Sequence, residues 1–401
     1  MITSRLLIGF ALATATACAR APEVTVPAQT PSAATLTELG RAVFFDSTLS
    51  ASGHMSCATC HDPAHGWSAP NARSVQLGGL DGGRPGMRAV PTLGYAQDTP
   101  PFTEHFREDE GNDSEDQGPA GGRMWDGRAQ SAQDQAALPL LSTFEMANVN
   151  RASALARLRA SPSAKQFRAA FGDRVFDDST AAWNGLLSAL DVFQQRPEDF
   201  YPYSSKYDAF LRGTTTLTSQ EQRGLALFNS STKGNCASCH PSGVVRGAFP
   251  QFTDRGFIAL GVPRNNRIPA NADTAYFDLG LCGPARTDLA GHENYCGLFK
   301  TPTLRNVARR GAFFHNGAFT SLEEVLRFYA ERDVHPEKFY RTDQLGVVRS
   351  YDDLPTKYVG HVNVDAPFDR KPGQRAAFSD AEAADIIAFL RTLNDGFVAR
   401  P

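Results

Sequence analysis

The chain has 401 residues, a formal net charge of −3, 21% charged residues and 41% hydrophobic ones. That length suits two domains better than one core. The near balance of charge excludes a general field for nucleic acid or anionic membranes, and no apolar run reaches transmembrane length.

Residues 1–20 read as an export signal: Arg5, then the apolar stretch Leu6 to Ala13, then the small residues Ala15-Thr16-Ala17. Cys18 follows at once, so lipoprotein anchoring at Cys18 is a second reading, although Ala15 stands where Leu is usual. Residues 21–34, rich in Pro, Ala and Thr, read as a tether. Thr35-Leu36-Thr37-Glu38 has the form of a capping box opening a helix with Leu39, Val43 and Phe44 on its apolar face.

Cys57-Ala58-Thr59-Cys60-His61 comes next, and its pattern returns as Cys236-Ala237-Ser238-Cys239-His240. Two thiols three positions apart can form thioethers to the two vinyl groups of one porphyrin. The adjoining imidazole then points at the iron, so each copy reads as a c-type haem attachment site. A four-cysteine zinc site keeps its pairs within tens of residues, and these lie about 180 apart. Neither copy sits in the βαβ pattern of a thioredoxin-like redox pair. Export agrees with this reading, because c-type haem is attached outside the bacterial cytoplasm.

Between the copies, residues 98–122 hold eight acidic residues against one Arg and show no periodicity. They read as a solvated loop, with docking or metal binding as the functional alternative. Taken alone, Trp125 is core filler and Glu145 a surface charge. A helix is predicted over Thr180 to Gln195 from Leu186, Leu187, Leu190 and Phe193. Pro197, Pro202 and Gly213 punctuate a joint over residues 197–217. Two more capping boxes, Thr218 with Glu221 and Ser379 with Glu382, open helices in the second half. Cys282 and Cys296 lie in a Gly-rich loop and are expected to form a disulfide in an oxidising compartment. Leu322, Val325, Leu326 and Tyr329 form a helical stripe, which by periodicity alone makes Tyr329 a core residue. The expected fold is mainly α, with two tandem cytochrome c-like haem domains and long loops, over residues 35–197 and 216–397.

The segment Met124-Trp125-Asp126-Gly127-Arg128-Ala129, with Gln135 and Glu145-Met146 at ten-residue steps after the Trp, resembles the bacterial dihaem cytochrome c peroxidases and the MauG-like enzymes. So do Tyr207-Asp208-x-Phe210-Leu211-x-Gly213, Lys300-Thr301-Pro302-Thr303-Leu304-Arg305-Asn306 and Phe314-His315-x-Gly317. The resemblance spans about residues 36–396, with insertions near 98–122 and 241–299. It implies that His61 is the proximal ligand of a peroxide-reactive haem, with Glu145 as acid–base group and Gln135 in the same pocket. It places Trp125 between the haems, as a carrier of electrons or holes, and makes His240 the proximal ligand of an electron-transferring haem.

A high-potential haem normally pairs His with Met. All five Met lie at or before position 146, so a Met ligand from the second domain is excluded. Tyr329 occupies the position fourteen residues after His315 where the peroxidases place that ligand, and the MauG-like proteins have Tyr there. Leu77 stands where peroxidases that need reductive activation carry a distal His. The family also binds calcium through an Asn in an R-N-x-P segment. Here the segment is Arg88-Ala89-Val90-Pro91; the backbone oxygens of Arg310 and Ala312 remain and the Asn is lost.

The lone His54, His65, His105, His292, His335 and His361 lack a metal-ligand spacing, with His105 and His292 in inserted loops that could reach a haem. The expected protein is periplasmic and reacts with hydrogen peroxide. Electrons come from a small redox protein, a cytochrome c or cupredoxin, or from an oxidisable protein substrate, and nucleic acid has no part. The alternative is a non-enzymatic dihaem electron-transfer cytochrome. A pure carrier would have both irons six-coordinate, so Glu145 and an open first haem discriminate the two.

Overall fold

A computed structural model describes residues 30–107 and 115–398. The export signal, Cys18 and most of the tether fall outside those residues, as does part of the acidic loop. Among the described residues the chain is mostly helical, with two short antiparallel ribbons: Leu77–Gly78 with Arg84–Pro85, and Phe257–Ile258 with Phe299–Lys300. No helix among them is long and apolar enough to cross a membrane.

The first half is built on α1 (Ala33–Phe45), α2 (Ala132–Leu141), α3 (Arg151–Ala160), α4 (Ala164–Phe171) and α5 (Ser179–Gln194). The second uses α6 (Ser219–Asn229), α7 (Leu322–Glu331) and α8 (Asp380–Arg391). The boxes at Thr218 and Ser379 form as expected. The first helix starts earlier than its sequence suggests. Ser32, not Thr35, is its N-cap, and the Ser32 hydroxyl accepts from the Thr35 amide. Both readings place a hydroxyl before the same apolar run, and the earlier hydroxyl adds nearly a turn of helix.

In each half the opening helix crosses the closing one at a glycine. A Cβ on Gly40 would lie 1.9 Å from the Ala189 carbonyl oxygen, and one on Gly224 would lie 1.9 Å from that of Asp385. Four residues after each glycine an aromatic ring sits edge-on to a partner from the other helix: Phe44 to Phe193 at 5.5 Å, and Phe228 to Phe389 at 5.1 Å. The degenerate repeat is therefore a repeat of packing: glycine lets the backbones touch, and a phenylalanine pair fills the space beside them. We predict that Gly40→Ala lowers stability by ~3 kcal/mol, the upper range for overpacking, because the obstacle is backbone rather than a movable side chain. The shift of the urea midpoint measures it. Gly82→Ala is the control for a glycine whose Cβ would meet nothing within 4 Å, although its φ of +68° carries its own strain.

Two cores accompany the two crossings. One gathers Leu39, Phe44, Trp67, Leu158, Phe193 and Phe200; the other gathers Tyr207, Phe228, Phe252, Leu326, Ile386 and Phe389. The change from one core to the other falls between Phe200 and Tyr207, inside the expected joint. Arg305 and Asp208, both wholly buried, pair at 2.8 Å beside it. The Arg305 guanidinium also lies against the rings of Tyr95 and Tyr203, while Tyr95 donates to Asp395 at 2.7 Å. Cys282 and Cys296 form the expected disulfide.

Candidate haem and peroxide site

The two cysteine motifs are presented alike. The His61 Nδ1 lies 3.1 Å from the Trp67 carbonyl oxygen, and the His240 Nδ1 lies 2.7 Å from that of Phe252. A carbonyl only accepts, so each Nδ1 carries the proton and each Nε2 keeps its lone pair outward. Trp67 and Phe252 both hold a left-handed backbone, with φ of 61° and 55°. Their rings pack against the helix-crossing phenylalanines, Trp67 on Phe44 and Phe193, and Phe252 on Phe228 and Phe389. Burial pushes His61 down to about 4 and lowers His240 as well, so both stay neutral, as an iron ligand must. The thiols of Cys57, Cys60, Cys236 and Cys239 are unpaired, and burial holds them protonated.

Beside the second motif a cavity is lined by Cys236, Cys239, His240, Phe313, Leu326 and Tyr329. Burial raises the Tyr329 phenol above its ordinary value, and the nearby Cys236 and Cys239 raise it further. Its hydroxyl has no hydrogen-bond partner among the described residues. The apolar stripe of α7 does pack into the second core, so the core reading holds for Leu322 and Leu326. Tyr329 is at its edge, facing the cavity. The cavity runs on to Trp125 and Gln135. Trp125 is held at both ends: its Nε1 donates to the Ala89 carbonyl at 2.8 Å, and its own carbonyl accepts from the Lys300 amide at 2.9 Å.

Glu145 belongs to the first motif. It lies in the turn after α2, where its amide donates to the Ser142 carbonyl and its carbonyl accepts from Gly79 at 2.8 Å. Its charge acts on both Cys57 and Cys60. Burial raises its carboxyl, opposed by the Ser142 hydroxyl and the Arg128 guanidinium. Leu77 begins the short ribbon beside this turn and is partly exposed. The structure therefore brings Trp125, Gln135, Cys236, Cys239, His240 and Tyr329 to one cavity, and sets Glu145 apart beside Cys57 and Cys60.

Residues that fit two porphyrins are thus in place: paired thiols, an aimed imidazole above each pair, and a cavity between apolar walls. A family model described as di-haem cytochrome c peroxidase matches residues 34–216. The methylamine utilization protein MauG of Paracoccus denitrificans is 38% identical over 304 residues, 73% of this chain and 74% of that one. The chain belongs to the di-haem cytochrome c peroxidase and MauG family. The cytochrome c551 peroxidase of Nitrosomonas europaea is 27% identical over 77% of this chain and 76% of its own. The crystal structure of the diheme peroxidase BthA from Burkholderia thailandensis superposes with a TM-score of 0.80 at 35% identity, covering 92% of this chain and 90% of that one. A di-haem peroxidase binds two c-type haems and is an oxidoreductase that acts on hydrogen peroxide.

The lone histidines and the remnant of the calcium segment can be placed within this family frame. His105 pairs with Asp116 at 2.6 Å and His292 with Glu104 at 3.1 Å; both are well exposed, and neither lines the cavity. His65, His335 and His361 are held by Asp62, Glu337 and the Cys296 carbonyl. The remnant of the calcium segment does not fit a metal ion. Ala89 accepts from Trp125 through its carbonyl, and the carboxylates of Asp126 and Asp278 both close on the Arg88 guanidinium, at 2.7 and 2.6 Å. Among the described residues no group of three or more His, Cys, Asp or Glu is arranged for a metal. The Arg88 cluster was not legible in sequence, since nothing marks Asp278 as its partner.

Proposed function

We propose that the chain is a periplasmic enzyme of two tandem cytochrome c-like haem domains, residues 35–197 and 216–397, with export directed by residues 1–20. His61 holds the peroxide-reactive haem through Cys57 and Cys60. His240 and Tyr329 hold the second haem through Cys236 and Cys239. The single observation that carries this division is the unequal furnishing of the two motifs: a buried carboxyl beside the first, a buried phenol without a partner facing the second.

When bound, haem iron supplies the redox chemistry that reduces the O–O bond. The chain's own residues do the rest. The Glu145 carboxylate takes a proton from one peroxide oxygen and returns it to the leaving oxygen, so that water departs instead of hydroxide. Gln135 stands on the cavity wall with Trp125, and from that side its side-chain amide orients the peroxide. Trp125, pinned by Ala89 and Lys300, keeps its indole fixed between the motifs as a carrier of electrons. The relatives include a cytochrome c551 peroxidase and a methylamine utilization protein. The electron source is accordingly a small redox protein, a cytochrome c or cupredoxin, or an oxidisable protein. Tyr329 and Leu77 favour the MauG-like branch.

The test is the optical and paramagnetic resonance spectrum of the ferric protein before and after one equivalent of hydrogen peroxide. A resting mixture of one high-spin and one low-spin haem that changes on addition, with the peroxide consumed, supports the reading. Two low-spin haems inert to peroxide would leave a plain electron-transfer cytochrome.

A further inference from the structure

Four cations line the cavity beside the second motif, whose wall also includes Pro91, a backbone neighbour of His61, without a carboxylate to balance them: Arg123, Arg255, Lys300 and Arg310. Each is instead held by neutral oxygens. Arg123 donates to the Ala96 carbonyl, Arg255 to the Gln251 side chain, and Lys300 to the Gly122 carbonyl. Arg310 donates to the carbonyls of Thr303 and Arg305 at 2.8 Å each. The Nε of Arg255 and the Nε of Arg310 are buried with no partner. None of the four forms an ion pair among the described residues. Asp191, Asp98 and Asp254 are felt only at longer range, by Arg123, by Arg255 and by Lys300. The cavity-lining carboxylates Asp278 and Asp353 already have arginines of their own, Arg88 and Arg264.

Buried cations in this number are costly without counter-charge. The strain shows in their acidity: burial and mutual repulsion push Lys300 down to about 7, and burial alone pushes Arg310 down to about 10. The missing partner must carry several negative charges, reach this wall and present planar oxygen pairs that suit guanidinium. We propose that Arg123, Arg255, Lys300 and Arg310 form a carboxylate-binding wall that takes the propionate groups of the two haems. Two porphyrins carry four propionates, which matches four cations. Arg310, whose charge is felt at His240, serves the second haem. Arg123, next to Met124 and on the Asp191 side, serves the first. Lys300 and Arg255 bind between them. The assignment rests on the haem placement above but not on any reaction with peroxide. It also gives Lys300 two tasks, because its amide fixes Trp125 while its ammonium neutralises a propionate.

The same oxygen chemistry could be met by a free anion such as phosphate, and redox titration of the full holoprotein separates the two. A cation beside the haem favours the ferrous form, which has one positive charge fewer. Removing it therefore lowers the midpoint potential. Arg310→Gln is expected to lower the low-spin haem by about 59 mV, a tenfold shift in the one-electron equilibrium. The high-spin haem should move by much less, and Arg310→Lys should stay near the native value. Arg123→Gln should show the reverse preference. The propionate vibrations in resonance Raman spectra should shift in the affected haem. Native potentials should not respond to phosphate at constant ionic strength. Native midpoints in Arg310→Gln and Arg123→Gln, both with full haem, would overturn the proposal. So would a phosphate-dependent shift in the native protein, which would assign the wall to a free anion. If Arg310→Gln fails to fold, Lys300→Gln carries the same test. A protein that shifts as expected yet ignores peroxide would refute the proposed function and leave this wall in place.

Discussion

Replacing Glu145 with Gln slows the reaction with hydrogen peroxide by roughly 10²–10⁴-fold, the usual worth of a positioned acid–base group. The amide keeps the size and most of the packing, so the resting spectra of both haems should be unchanged. What it loses is the ability to accept the peroxide proton. The pH profile gives a second check with a definite sign. Burial raises the Glu145 carboxyl, so the base is scarce at low pH and becomes available as pH rises through that raised value. The native rate should climb over that interval and then flatten, while the variant stays low and flat. Arg128 opposes the effect of burial, so Arg128→Gln should move the climb to higher pH. Stopped-flow rates at several pH values decide the matter. A Glu145→Gln protein that reacts at the native rate would remove Glu145 from the mechanism.

Tyr329→Met should raise the midpoint potential of the low-spin haem by a few tenths of a volt, within the ~0.8 V range that axial ligands span. A phenolate oxygen stabilises oxidised iron, whereas a neutral thioether favours the reduced form. Tyr329 is suited to the ligand role because its hydroxyl faces the cavity without a partner. Burial raises the phenol, so the free side chain is neutral and must release its proton on ligation. Tyr329→Phe offers no ligand atom and should convert the low-spin signal to high spin. An unchanged low-spin signal in Tyr329→Phe would show that the iron takes its second ligand elsewhere.

The two C-x-x-C-H segments could be read from the sequence as candidate haem anchors, since five consecutive residues carry their own chemistry. The capping boxes at Thr218 and Ser379 were legible for the same reason: each lies within four residues. Trp125, Gln135 and Glu145 could be singled out only through resemblance, because a lone Trp or Glu has no local pattern. The glycine crossings were hidden, because nothing near Gly40 announces that Ala189 will press on it. The cation wall was hidden more deeply. Arg123 and Arg310 belong to different halves of the chain, and what unites them is a shared lack of an anionic partner. The sequence left His105 and His292 open because a loop insertion shows where a histidine is attached and not where it turns.

The carbonyls that aim the two imidazoles belong to Trp67 and Phe252, and the rings of those residues are wedged into the helix crossings. Each proposed iron ligand is therefore oriented by the part of its half of the chain that assembles from the two most distant helices. A chain that has joined porphyrin to its cysteines but has not yet closed that crossing holds its histidine untethered. The ligand's aim is set only when the first and last helices meet. Correct coordination becomes a report of completed folding, and a weakened crossing should appear first as a wandering axial ligand, before any loss of helix content.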